Sequence, residues 1–537
     1  MFRHKRDGTL LICFSLLAFT LVPRLWPQEP TVQPGSLPIA KEELLGELSP
    51  QTDVPGPRIA GGLLREFFSS ASPEADYAFD PDSLRFAARA KQGTKWVLIV
   101  DGKERGVFDG VESILVSPGG RHVNYSAKRA GRWVKMLDDK ELGPAFDELG
   151  GGSWLFGDVD LEHYAYPGQR GKRWLMVADG REGPEYEKVG RPSFSRDGRH
   201  LAYAAKRMKG EEVVVLDGKE GPVLEAANSP HFSPDGQHMA YRATHEKKRE
   251  AIITDGKEGP EFEEVGAPTF SPDGQHLAYH AKLDNKREVV VIDGKVGPEF
   301  EEIGGSPVGL NVRGDPMAFA LNCGDMSNPV YSPDGGRLAY FAKRSKKWRM
   351  VVDGQEGPEF KAEVFSGPLF TDDSRHVVYV ALEHLGKALE VRNDKPPAEV
   401  TASFSGMGFP FLESPVITPD GQRLAYILGG GGEHFELGRT TRARRYVVVD
   451  GKPGKMYDAL AIDLAFSEDG RHIIYSVRGG VEQNKSTIVI DGKEGKLYDD
   501  VVGGALRKVE GGDSSRHTLV YIAREGKNFF RVTQPLP

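Results

Sequence analysis

The phrase Phe270-Ser-Pro-Asp-Gly-Gln-His-Leu-Ala-Tyr279, followed by Glu288-Val-Val-Val-Ile-Asp-Gly-Lys295, constrains this chain more than any other feature. It recurs as Phe232–Tyr241 with Ile252–Lys257, and as Phe194–Tyr203 with Val214–Lys219, at a spacing of about 38 residues. Self-similarity at such a period means one supersecondary unit used many times, each unit burying its apolar face against the next. The unit reads as four short strands. Ser-Pro-Asp-Gly is a turn between the first two, because proline presets φ and glycine takes the strained position. Asp-Gly before Lys is a favoured two-residue hairpin turn, placed between the third and fourth strands. The second strand alternates, and the third, Val289–Ile292, is apolar throughout, as expected for a strand covered on both faces. The fourth is assigned to the Pro-Glu-Phe-Glu-Glu-Val run.

Four antiparallel strands per unit, stacked on neighbours, describe an all-β fold of β-propeller blades. The residue that opens the second strand is Arg85, His122, His163, His200, His238, His276, Arg337, His376, Arg423, His472 and His517 in turn, giving about eleven units. One ring ordinarily has four to eight blades. The spacing also breaks between His276 and Arg337, where Val312–Phe319 is a degraded copy of the phrase. The expectation is therefore two tandem propellers, 61–305 and 330–537, with a seam over 306–329. The alternative is one large ring closed by both chain ends. In its favour, the last unit lacks a fourth strand, and Leu64–Ser70 resembles a fourth strand without its partners.

The Phe-Ser-Pro-Asp-Gly-x-x-Leu-Ala-Tyr phrase, recurring over most of residues 79–523, resembles the TolB-type, WD40-like propeller repeat of exported bacterial proteins. That resemblance implies a propeller and export to the periplasm or cell exterior. It implies no single activity, since members bind proteins or carry a hydrolase domain beside the propeller. The Asp-Gly-Lys-Glu-Gly-Pro-Glu-Phe continuation departs from the family pattern.

The N-terminus agrees with export. Arg3, His4, Lys5 and Arg6 precede an apolar run, Thr9–Val22, which suits a signal peptide or an uncleaved signal anchor over 1–26 and is short for a membrane span. Residues 27–60 read as a proline-rich linker with a short helical turn at Lys41–Leu48. A net charge of −8 speaks against a broad nucleic-acid surface. The only cysteines are Cys13 and Cys323, so removal of the leader leaves no internal disulfide and no CxxC metal site.

No catalytic residue, cofactor or metal ligand is assigned. One histidine per blade is spread around a circle and does not gather at zinc-ligand distance. The Glu261-Phe-Glu-Glu264 phrase lacks the alternating loop spacing of a calcium site. Gly-x-Ser-x-Gly, His-Glu-x-x-His and P-loop motifs are absent. Function is expected in departures from the repeat, because a regular scaffold presents irregular loops. Two stand out: the apolar insertion 407–412, with Phe409, Phe411 and Leu412, and the basic loop 429–445, with Arg439, Arg442, Arg444 and Arg445. They suggest a non-catalytic scaffold for a protein partner, exported or membrane-anchored. The alternative is a secreted glycan-active hydrolase or lyase with its site in a propeller channel, where paired carboxylates leave no local motif.

Overall fold

A computed structural model describes residues 41–47, 52–53, 77–80, 83, 85–150, 156–157, 163–208, 210–228, 230–245, 248–284, 286–304, 329–361, 364–383, 387–392, 395–401, 410–430, 444–457, 459–467, 469–478, 485–508, 517–526 and 528–537. They contain no α-helix. Eleven small antiparallel sheets follow one another along the chain as the blades of a β-propeller. We number them 1 to 11 in chain order, from the sheet of Phe86–Gln92 (blade 1) to that of His517–Glu525 (blade 11).

Blade 6 shows why the repeat folds this way. Glu264–Val265 and Thr269–Phe270 form its first strand, interrupted at Gly266-Ala-Pro268, and both pieces pair with Leu277–Asp284. Leu277–Asp284 pairs with Arg287–Ile292, and that with Lys295–Val296. The connecting Asp293 and Gly294 have φ of +48° and +74°, the double left-handed geometry of the hairpin expected from Asp-Gly. Asp-Gly takes this form in blades 1, 3, 4, 5, 7, 9 and 10 as well.

The run assigned to the fourth strand is divided instead. In blade 5 the regular fourth strand is only Lys257–Glu258, and Phe262 returns to its sheet through a single bridge to Glu250. Glu264–Val265 already belongs to blade 6. Pro260 has no N–H to give a ladder, so the outer edge is broken where it would otherwise be long and open. Phe262 is buried between blades 5 and 6, while Glu261 and Glu263 face solvent.

Each pair of successive blades, from 1 and 2 through 10 and 11, shares an apolar core. This series runs unbroken past the expected seam. Residues 305–328 lie outside the described residues, but Glu302–Ile303 before them pairs with Leu338–Arg344 after them, inside blade 7. A boundary between 305 and 330 would therefore cut through one sheet, and the spacing break is an insertion within that blade.

The chain ends meet in blade 11. Lys41–Glu47, expected to be linker and a helical turn, is a strand that pairs antiparallel with Asn528–Pro535. It supplies the fourth strand the last repeat lacks. The chain then enters Thr52–Asp53, a piece of the first strand of blade 1. This outer-to-inner step, here from blade 11 to blade 1, is the one every blade makes to its successor. Leu64–Ser70, the other candidate for the closing strand, lies outside the described residues.

Candidate functional site

The turn joining strands one and two and the turn joining strands three and four lie at the same end of each blade. One face of the propeller therefore carries all the Ser-Pro-Asp-Gly and Asp-Gly turns. First strands of neighbouring blades touch one another, which places the Ser-Pro-Asp-Gly turns innermost on this face.

The repeated histidines work here as locks. In blade 6 the His276 imidazole Nδ1 lies 2.9 Å from Asp293 Oδ2, while Asp293 Oδ1 accepts the Leu277 backbone N–H at 2.9 Å. A carboxylate only accepts, so Nδ1 carries the proton in this pair. One aspartate thus ties the hairpin turn to the start of strand two. The same pair forms at His122–Asp138, His163–Asp179, His200–Asp217, His238–Asp255 and His472–Asp491. Where arginine replaces histidine it reaches further. Arg337 Nε donates to Asp353 at 2.8 Å, and its Nη1 donates to the Arg375 carbonyl of the next blade at 2.7 Å. Arg85 and Arg423 likewise hold carbonyls of the following turn, at Arg121 and Arg471. Histidine closes one blade; arginine fastens it to its successor.

Inside this circle lies a second one, made of carboxylates. The Ser271 hydroxyl donates to Asp273 Oδ1 and accepts the His276 N–H at 2.9 Å, and Asp273 Oδ1 also accepts the Gln275 N–H at 3.1 Å. The hydroxyl and that backbone N–H hold the Asp273 carboxyl below the ordinary aspartate range. Asp197, Asp235, Asp334 and Asp373 are held down in the same way. Asp420 and Asp469 repeat the hydroxyl contact. Seven consecutive blades, 4 to 10, thus present a carboxylate on their innermost turn. Neighbouring turns interlock: Gln275 Nε2 reaches Asp235 Oδ2 at 3.4 Å, and the Ser374 hydroxyl accepts the Asp334 N–H at 3.1 Å. The sequence reading missed this collar, although the phrase Ser/Thr-x-Asp recurs visibly. Among the described residues no group of three His, Cys, Asp or Glu side chains is arranged to hold a metal ion.

The residues singled out from sequence all fall in blade 9 or its connections. Phe409, Arg439 and Arg442 lie outside the described residues. Phe411 and Leu412, expected at the tip of an insertion, stand in the first strand, opposite Gly429 and Leu428. Arg444 and Arg445, expected in a loop, stand in the third strand, opposite Gly430 and Gly429, and Arg445 is half-buried. Pairing thus extends further along this blade than the glycines suggest, which leaves 402–409 as the link from blade 8 and 431–443 as the connection between its second and third strands.

No family model and no curated protein matches the chain. Among solved structures it is similar to a eukaryotic initiation factor, at 12% identity over 72% of this chain and 89% of that one, with a TM-score of 0.38. It is also similar to the β-propeller domain of the Trilobed protease from Pyrococcus furiosus, at 15% identity over 57% and 93%, TM-score 0.27. TolB from Acinetobacter baumannii matches at 14% identity over 65% and 79%, TM-score 0.24. The neighbours include TolB and other β-propellers.

Proposed function

We propose that this chain is an exported or membrane-anchored β-propeller acting as a non-catalytic scaffold for a protein partner. The observation that carries the reading is how the repeated polar groups of the turn face are used. In blade after blade the serine, aspartate, histidine and second aspartate bond one another or the local backbone. They build the frame. What differs between blades is then left to recognise a partner, and blade 9, with its apolar 402–409 and arginine-bearing 431–443 connections, differs most. Export is supported by the basic start and the apolar run Thr9–Val22.

The test uses the full chain carrying Phe409→Ser or Arg439→Glu with Arg442→Glu, positions outside the described strands. Cross-linking in intact cells should capture one partner reproducibly with the wild type. The variants should lose it with an unchanged unfolding temperature. Equal capture by all the variants would remove blade 9 from the reading, and turnover of a glycan by the wild type would overturn the non-catalytic assignment. A reporter fused after residue 40 that stays in the cytoplasm would refute export.

A further inference from the structure

Blade 2 breaks the repeat where it is most deeply buried. At the position of Asn124, directly opposite Leu137 on strand three, blades 1, 3, 4, 5 and 6 carry Ala87, Ala165, Ala202, Ala240 and Ala278. Lys135, opposite Ser126, occupies the place of Leu98, Met176, Val214, Ile252, Val290 and Met350. Asn124 and Lys135 of blade 2 thus stand where these blades carry alanine and an apolar side chain. They share one face. Val123, Tyr125, Ala127, Val134 and Met136 pack into the core with blade 1, so by strand alternation Asn124, Ser126 and Lys135 point toward blade 3.

All three have 0% exposure. The Lys135 ammonium donates to the Ser126 hydroxyl at 3.3 Å, and burial draws its pKa down to about 7. Both the nitrogen and the oxygen of the Asn124 amide lack a hydrogen-bond partner. So does the hydroxyl of Tyr166, which blade 3 contributes to the core shared with blade 2. Polar groups are costly to bury unmet, and natural interiors satisfy nearly all of them. Asn124 is the diagonal neighbour of Lys135 across the strand pair, within reach of a long side chain.

We propose that blades 2 and 3 enclose a site for one small monovalent anion of halide size, bound by the Lys135 ammonium and the Asn124 amide N–H of blade 2, with the Tyr166 hydroxyl facing them from blade 3. The single positive charge sets the valence. Ammonium, amide and phenol are all N–H or O–H donors, which suits a spherical anion that needs no directional acceptor in return. The occupant ties blades 2 and 3 through polar bonds.

The experiment measures thermal unfolding of the full chain in chloride or bromide against gluconate at constant ionic strength, and locates bromide by anomalous diffraction. A ligand that binds only the folded state raises the transition with the logarithm of its concentration, by about 2–3 °C at a hundredfold excess over Kd for a chain of this size. The wild type should show this halide-specific rise and one anomalous peak between Lys135 and Asn124. Lys135→Met, which installs the residue of blades 3 and 7, and Asn124→Ala, which installs that of blades 3 to 6, should lose the halide dependence. An equal halide response in the wild type and both variants would overturn the proposal. So would water alone at that position in bromide-soaked crystals, a result that needs no variant to fold.

Discussion

Replacing Glu42 tests how the ring is shut. Glu42 lies on the closing strand Lys41–Glu47, and its carboxylate accepts from the Tyr498 hydroxyl and, at 3.0 Å, from the Lys496 ammonium, both of blade 10. The contact is built into the repeat, since Glu220 and Glu494 receive Tyr186 and Tyr457 of their preceding blades at 3.0 Å. Tyr498 has 0% exposure, so Glu42→Ala takes the charged acceptor from a buried hydroxyl, at a cost of about 1–3 kcal/mol. The partly exposed pair with Lys496 adds about 0–1 kcal/mol. Glu42→Ala should therefore destabilise by about 1–4 kcal/mol, and Glu42→Gln, which keeps an acceptor, by less. In a Tyr498→Phe background no hydroxyl remains to strand, so Glu42→Ala should cost about 1 kcal/mol or less. The assay is urea unfolding of the four chains of this cycle, with proteolytic cleavage of 41–47 as a local readout. Burial pushes the Glu42 carboxyl up, but the bonds from Tyr498 and Lys496 outweigh it and leave the carboxyl below its ordinary value. A depressed carboxyl stabilises fully above the ordinary glutamate range, and the contribution fades as pH falls through the depressed value. The wild-type advantage over Glu42→Gln should shrink in that acid window. Equal costs of Glu42→Ala in the two backgrounds would refute the latch.

Two further outcomes follow from the turn face. Gly274→Ala should destabilise more than Gly256→Ala: both have φ near +75°, but a Cβ at Gly274 would sit 2.4 Å from the Asp235 carboxylate of the preceding blade, while nothing lies within 4 Å at Gly256. The backbone alone costs about 1–2 kcal/mol at either site, and Asp235→Ala should remove the excess at Gly274 in unfolding measurements. Asp293→Ala removes the acceptor of both His276 and the Leu277 N–H, partly exposed bonds together worth about 1–2 kcal/mol, whereas His276→Ala should cost less, as urea unfolding would show.

Local chemistry was legible and closure was not. Asp-Gly before Lys announces its hairpin because the left-handed geometry at Asp293 and Gly294 is a property of those two residues. The buried faces of Leu277–Asp284 and Arg287–Ile292 likewise follow from their own patterning. Lys41–Leu48 misleads for the opposite reason. Glu, Leu and Lys favour a helix, but the open edge of Asn528–Pro535, distant in sequence, supplies a pairing partner that overrides propensity. The number of rings was illegible in the same way, because identical repeats carry no mark of which neighbour each will meet. In the candidate site, the histidine position could be read along the chain, but its aspartate partner could not, since the two meet only when strands two and three align. The departure of Asn124-Tyr from Ala-Tyr is visible in the letters; its depth between two blades is not.

The closing strand also sets a timetable. Residues 41–47 leave the ribosome about 490 residues ahead of their partner, Asn528–Pro535. At the usual pace of translation the interval is roughly 25 to 100 s. Throughout it the earliest strand waits without its place in a sheet while ten blades form in order. Such a strand is a standing invitation to aggregation or to exchange with a neighbouring chain. Its three glutamates, Glu42, Glu43 and Glu47, are suited to that wait, because charge keeps an unpaired strand soluble until its partner strand is made.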